Sequence, residues 1–157
     1  KTVLVTGANG QLGTSIRCLS GAYNRFQFLF TDVEIDICKE ESVDAFIQTH
    51  PVDYILNCAA YTAVDKLKRT WNFVNRSTGM RWPIWLGPPK SARRKLFTYQ
   101  RLCIRRYILY SLPGNRHDKP QSVYGSTKRA GEEVLQEICP DAVIVRTAWL
   151  YSEYGNN

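Results

Sequence analysis

The feature that most constrains this chain is its opening, KTVLVTGANGQLG. Thr2 to Val5 is a short apolar, β-branched run, as expected of a strand buried on both faces. It runs without a spacer into Thr6-Gly7-Ala8-Asn9-Gly10-Gln11-Leu12-Gly13, after which Leu12, Ile16 and Leu19 recur at helical spacing. The three glycines answer three different needs. Gly7 lets the chain turn sharply off the strand, Gly10 has no side chain to hold a pyrophosphate away from the backbone, and Gly13 lets the helix pack closely on the sheet. The amides of Asn9, Gly10, Gln11, Leu12 and Gly13, with the positive end of the helix dipole, then face the phosphates. About twenty residues on, Phe26–Phe30 forms a second apolar run that ends in Thr31-Asp32, and an acid at that point can accept hydrogen bonds from an adenosine ribose. The competing reading is an ordinary strand–turn–helix without a ligand. The placement of the turn, between a strand and a helix at the start of a domain, favours a dinucleotide site.

Length and charge bound what else the chain can be. Its 157 residues make one domain or part of one, with enough chain to bury a core. No run of about 18 apolar residues exists, so no membrane span is expected. The chain starts at Lys1 with a strand, so no signal peptide is expected. Cys18, Cys38, Cys58, Cys103 and Cys139 are odd in number and show no paired metal spacing. That pattern suits a reducing cytoplasm and no metal centre. His50 and His117 have no plausible co-ligand nearby and read as surface residues. The net charge of +7 invites a nucleic-acid partner, but the charge is concentrated in one stretch. From Lys66 to His117 there are thirteen Lys or Arg and no Asp or Glu, while the rest has eight basic and fourteen acidic residues. No nucleic-acid partner is therefore expected.

The first part reads as alternating strands and helices, hence a parallel sheet with right-handed crossovers. Strand one is Thr2–Val5, helix one about Gln11–Ala22, and strand two Phe26–Thr31. Asp36-Ile37 leads into a helix over Glu40–Thr49 with Val43, Phe46 and Ile47 inward, Pro51 ends it, and Asp53–Asn57 is strand three. Cys58-Ala59-Ala60-Tyr61 follows, small-residue backbone that can lie beneath a cofactor. At the far end Ser122 opens a helix to about Ile138 with Ala130, Val134 and Leu135 inward, and Ala142–Arg146 is another buried strand. The chain then stops at Asn157 with no capping element, which reads as truncation. Between these halves, Lys66–Lys119 sustains no period of 3.6 or 2, and Ile104–Leu112 resembles a strand by composition alone.

TGANGQLG, TDVEIDI, NCAAYTAVDK, SVYGSTKRAGEE and RTAWLYSEYGNN together resemble the dTDP-4-dehydrorhamnose reductases of the extended short-chain dehydrogenase/reductase superfamily. The likeness covers residues 1–66 and 120–157. It implies an α/β fold, a doubly wound parallel sheet of Rossmann-like type, here truncated and disrupted in its centre. On this reading residues 1–157 form a partial NAD(P)-binding domain without the C-terminal substrate lobe. The family's helix after AVDK, and its next strand ending in a STDYVFDG-like motif, are missing as the chain is written. A reading-frame slip restores them. Back-translation of Leu67–Gln100 begun two bases later permits AETDVELCEQINRDAVANLARAAKER and then AIHIST. From Arg101, one base later, it continues DYVFDGTYYTPYRETD. Residues 66–119 are thus expected to be largely out-of-frame sequence, with the lost strand belonging beside strand one.

Tyr124 and Lys128 stand four apart at the start of a helix and project from one face. A neighbouring ammonium favours the phenolate and lowers a tyrosine pKa towards the value proton transfer needs. The resemblance implies that NADPH or NADH delivers hydride to the 4-keto carbon of dTDP-4-dehydro-L-rhamnose while Tyr124 protonates the oxygen. Lys128 would also hold the nicotinamide ribose, and Asn57, Ala59, Ala60 and Tyr61 would line the cofactor. For the two alanines, helix–sheet packing stays open as the alternative. Trp149 and Tyr151 either meet the nucleotide-sugar substrate or are core aromatics. Asp32 leans towards NADH, yet the family includes NADPH users. The family's third catalytic residue finds no match; Thr98 is nearest by position and takes no assignment, so the fragment itself is expected to be inactive. The intact relative would be a cytoplasmic homodimer. A non-catalytic dinucleotide-binding subunit and a nucleotide-sugar epimerase or dehydratase remain as alternatives.

Overall fold

The β-branched opening run becomes the strand around which the sheet is laid. The computed structural model describes residues 1–37, 39–59, 95–101, 123–147 and 151–154. In chain order these form β1 (Thr2–Thr6), α1 (Gln11–Ser20), β2 (Gln27–Phe30), α2 (Glu40–Thr49), β3 (Tyr54–Asn57), β4 (Lys95–Arg101), α3 (Val123–Ile138) and β5 (Val143–Thr147). All four strand pairings are parallel, in the order β2-β1-β3-β4-β5. Val3 lies opposite Phe28 on one side and Tyr54 on the other. After β1 the chain goes outward to β2, then returns across β1 to β3. That reversal is the point where open α/β sheets place a crevice at their C-terminal edge.

Alternation along β1 sends its side chains to two separately covered faces. Leu4 and Ile55 are fully buried in a core completed by Ile35, Val43, Ile47, Val52 and Leu135. α2 and α3 thus cover one face. On the other face Val3 and Val5 are buried, and Arg17 of α1 sets its guanidinium 4.9 Å from the Phe30 ring centroid. Helices on both faces make the sheet doubly wound. The start of β3 is fixed to β1 by reciprocal bonds: Thr2 N–H donates to Asp53 Oδ2 at 2.7 Å, and Asp53 N–H donates to Thr2 O at 3.0 Å.

Three expectations need correction. A strand is present within the aperiodic stretch, and it lies between β3 and β5, not beside β1, whose second side β3 already fills. On α3 the buried row is Lys128, Gly131, Glu132 and Leu135, while Ala130 and Val134 are only half-buried. β5 is an edge strand and is not buried throughout, with Val143 and Val145 43% and 50% exposed. The segment Ile104–Leu112, with Ala60, Tyr61, Cys103, His117 and Trp149, lies outside the described residues.

Leu4→Ala removes a fully buried side chain from the core beneath α2 and α3, so it should cost about 2–5 kcal/mol in urea unfolding. Val33→Ala, at an 88% exposed position, should stay within about 0.5 kcal/mol.

Candidate functional site

The site is built where β1, β2 and β3 end together. Gly7 has φ 63°, the left-handed region that side chains resist, and a Cβ there would lie 2.6 Å from Ala59 Cα. A Cβ at Gly13 would lie 2.5 Å from Ala8 Cα and closer still to Gly7 O. These two glycines are therefore needed by packing alone. Gly10 differs: a Cβ there would meet only Gly7 O, at 3.3 Å, a contact that a shift of a few tenths of an ångström relieves, so packing demands a bare backbone far less here than at Gly7 or Gly13. Gly10 is the N-cap of α1, makes no side-chain cap, and is followed by no acid in the first turn. A helix start so arranged suits an anion. The turn is closed by Gly10 N–H donating to Gly7 O at 3.1 Å and Ala8 N–H donating to Thr31 O at 3.0 Å.

Asp32 follows β2 and is drawn to this turn. Asn9 N–H donates to Asp32 Oδ2 at 3.1 Å. Asp32 N–H in turn donates to Glu34 Oε2 at 2.6 Å, and that bond, with one to its own N–H, holds the Glu34 carboxyl below the usual carboxylate range. Glu34 was not foreseen; its only sequence signal is a second acid two positions beyond Asp32. Asn57 ends β3 fully buried, with its carboxamide committed inside the protein. Thr6 Oγ1 donates to Asn57 Oδ1 at 2.6 Å, and Asn57 Nδ2 donates to Ala59 O at 3.3 Å. Asn57 thus shapes the backbone beside Gly7 through Thr6, a partner the sequence reading did not name. Burial pushes the neighbouring Cys58 thiol up to about 12.

α3 carries the other predicted group. Lys128 is 5% exposed on the buried face, and Tyr124 occupies the helix's first turn. Thr98 of β4 stands in register with Asn57 on one side and Ile144 on the other. Tyr151 is 80% exposed, in a segment whose Tyr154 hydroxyl is pushed upward by hydrogen bonds to Cys18 of α1 and to Glu153. Ala60, Tyr61 and Trp149 fall outside the described residues, so the structure does not place them. Among the described residues no three His, Cys, Asp or Glu gather to hold a metal ion, and no helix is long and apolar enough to cross a membrane.

The bare Gly10, the uncapped start of α1 and a carboxylate beside them fit the pyrophosphate and ribose of a dinucleotide. Comparisons with known proteins agree in kind. The family model for the RmlD substrate binding domain matches residues 1–72 and 114–157. A dTDP-4-dehydrorhamnose reductase of Aggregatibacter actinomycetemcomitans is 30% identical over 161 residues, covering 99% of this chain and 53% of the relative. That of Escherichia coli (strain K12) is 31% identical over 166 residues, with 99% and 53% covered. Among solved structures, a dTDP-4-dehydrorhamnose reductase of Clostridium acetobutylicum superposes with TM-score 0.88 at 31% identity, covering 100% of this chain and 56% of that one. One from Bacillus anthracis, in complex with NADP, gives TM-score 0.89 at 27% identity over 100% of this chain and 56% of that one. The chain spans about half the length of the curated relatives it matches.

The glycine geometry separates two kinds of substitution. Gly7→Ala and Gly13→Ala should each destabilise the chain by about 1–3 kcal/mol or more in urea unfolding, whereas Gly10→Ala should stay within about 1 kcal/mol. Cys58, whose thiol stays protonated below about 12, should resist iodoacetamide near neutral pH while exposed Cys18 reacts, as peptide mass spectrometry would show.

Proposed function

We propose that this chain, which belongs to the RmlD substrate binding domain family, forms the dinucleotide-binding half of a reductase that converts dTDP-4-dehydro-L-rhamnose to dTDP-L-rhamnose. The observation that carries the reading is the turn at Gly10, where bare backbone and an uncapped helix start lie beside the Asp32 carboxylate. The names of the relatives and the NADP held by the Bacillus anthracis reductase support it. Gly7 and Gly13 fix the turn, Asn9 and Gly10 hold it closed through their amide bonds to Asp32 and Gly7, and the amides of Gln11 and Leu12 take the pyrophosphate. Asp32 accepts from the adenosine ribose. Ala59, Ala60 and Tyr61 line the cofactor on backbone that the buried Asn57 carboxamide holds in place, and Trp149 and Tyr151 contact the sugar nucleotide.

When bound, a nicotinamide dinucleotide supplies the hydride. The chain's own part is to position and to move a proton. Lys128 holds the nicotinamide ribose, and its ammonium favours the Tyr124 phenolate, bringing that phenol's pKa down towards working pH. Tyr124 Oη then gives its proton to the substrate's 4-oxygen. The reading carries with it a nucleotide-sugar substrate, a cytoplasmic location and a homodimer of the intact protein.

We also infer that residues 66–119 are largely an out-of-frame translation. The family model passes over residues 73–113, which supports this reading. The nucleotide sequence across codons 64–122 tests it: a single uninterrupted frame whose codons cannot yield the family's motif contradicts the slip.

Titration calorimetry with NADH and NADPH should show one site, and Asp32→Ala should weaken NADH by about 10-fold or more while narrowing any preference against NADPH. In a version with the frame repaired and the relatives' remaining half restored, Tyr124→Phe should lower turnover by roughly 10²–10⁴-fold with cofactor affinity kept. Equal turnover in Tyr124→Phe would remove the tyrosine from the chemistry.

A further inference from the structure

The end of β2 carries a charge that the proposed function leaves unused. Glu34 is an exposed acid, yet its carboxylate is not left to water: Oε2 accepts the Asp32 N–H at 2.6 Å. That bond first, then one from its own N–H, and then the charge of Arg17 hold the Glu34 carboxyl below the usual carboxylate range. Arg17 reaches this corner from the last turn of α1. Its guanidinium lies over the Phe30 ring, 4.9 Å from the centroid and two residues before Asp32. A guanidinium held over an aromatic face keeps its outward N–H donors for an anion. Two backbone amides and a guanidinium thus serve a single carboxylate, and donors of those kinds are what a phosphate needs.

Asp32 ties this corner to the cofactor. Its Oδ2 accepts Asn9 N–H at 3.1 Å, so the carboxylate is turned to the glycine turn while the amide of the same residue faces Glu34. Whatever the 2′-oxygen of a ribose on Asp32 carries therefore arrives beside that amide, where the Glu34 carboxylate already lies. A hydroxyl brings no charge to this place, whereas a phosphate brings about two negative ones. We propose that Glu34 is a specificity-determining residue: its carboxylate occupies the seat that the 2′-phosphate of NADPH would take, against the amides of Asp32 and Glu34 and the guanidinium of Arg17. With Glu34 seated the chain favours NADH; with that side chain swung out, the same donors receive the phosphate. The intervening Val33 is 88% exposed, so the corner opens to water and leaves the side chain room to move. The proposal rests on the reading of the glycine turn as a dinucleotide site with the adenosine ribose on Asp32.

The test is calorimetric titration of this chain and its variants with NADH and with NADPH. Glu34→Ala should tighten NADPH by about 10-fold and leave NADH within about 2-fold, because only the phosphate competes with the carboxylate. Glu34→Gln keeps the side chain's length and an acceptor oxygen but not its charge, and should give part of that gain. Adding Arg17→Gln to Glu34→Ala should take the gain in NADPH away, with NADH again unmoved. An unchanged ratio of NADPH to NADH affinity in Glu34→Ala overturns the proposal and leaves the carboxylate a local tie of the chain after β2. Equal tightening of both dinucleotides, or a gain in NADPH that survives Arg17→Gln, overturns it as well. Should Glu34→Ala not fold, Glu34→Gln with and without Arg17→Gln decides the matter by the same criteria. If neither dinucleotide binds the unaltered chain, the fault lies with the proposed function, and the proposal falls with it.

Discussion

At Gly7 the backbone turns through the left-handed region and passes so near the end of β3 that no side chain fits between them. Gly13 makes the matching approach from the other side, seating the first turn of α1 against Gly7 and Ala8. These contacts lock three things to one another: the end of β1, the start of α1 and the segment after β3. The buried bond from Thr6 to Asn57 ties the same two strands one residue before the turn. Everything proposed for the site presupposes this lock, because the opening at Gly10 exists only while its neighbours on either side are held. The bond energies involved are individually modest, about 1 kcal/mol each. Their effect is geometric: they hold the end of β1, the start of α1 and the segment after β3 in fixed register.

Charge is placed on this frame with some economy. Asp32 accepts from Asn9 through its side chain and donates to Glu34 through its backbone, so the acid at the end of β2 is oriented by the glycine turn on one side and a second carboxylate on the other. On α3 a lysine and a glutamate are buried together with an arginine opposite, an arrangement costly to assemble unless each charge is matched. Both clusters lie on surfaces where the sheet's C-terminal edge and its helical cover meet. This is the part of an open α/β sheet that carries chemistry, while the aliphatic core of Leu4, Ile55, Val43 and Leu135 carries stability.

How far the sequence discloses this depends on how local the cause is. β1, α1 and the glycine turn were legible because backbone demands written in adjacent residues decide them. α2 was legible because Val43 and Ile47 recur at helical spacing over a polar surface. β4 was not, because Lys95-Leu96-Phe97-Thr98-Tyr99-Gln100-Arg101 alternates poorly and draws its place from β3 and β5 on either side. The inward face of α3 differs from the expected one for a related reason: periodicity looks for apolar residues, and among the helix's described side chains two of the four buried ones are charged. Glu132 became recognisable as buried only once Arg146 was seen opposite it, eight residues past the helix end and on another element. Asn57 was read as a cofactor-lining residue, and its bonds to Thr6 and Ala59 come from strand register, which no local pattern records.

The central claim is that the amides at the start of α1 receive a diphosphate. Its most direct measurement is backbone amide NMR of the chain titrated with NADH. The account predicts that the amides of Asn9 to Gly13, together with Asp32, move first and saturate together at one equivalent. If those amides hold still while NADH binds elsewhere, or does not bind at all, the account is contradicted at its root.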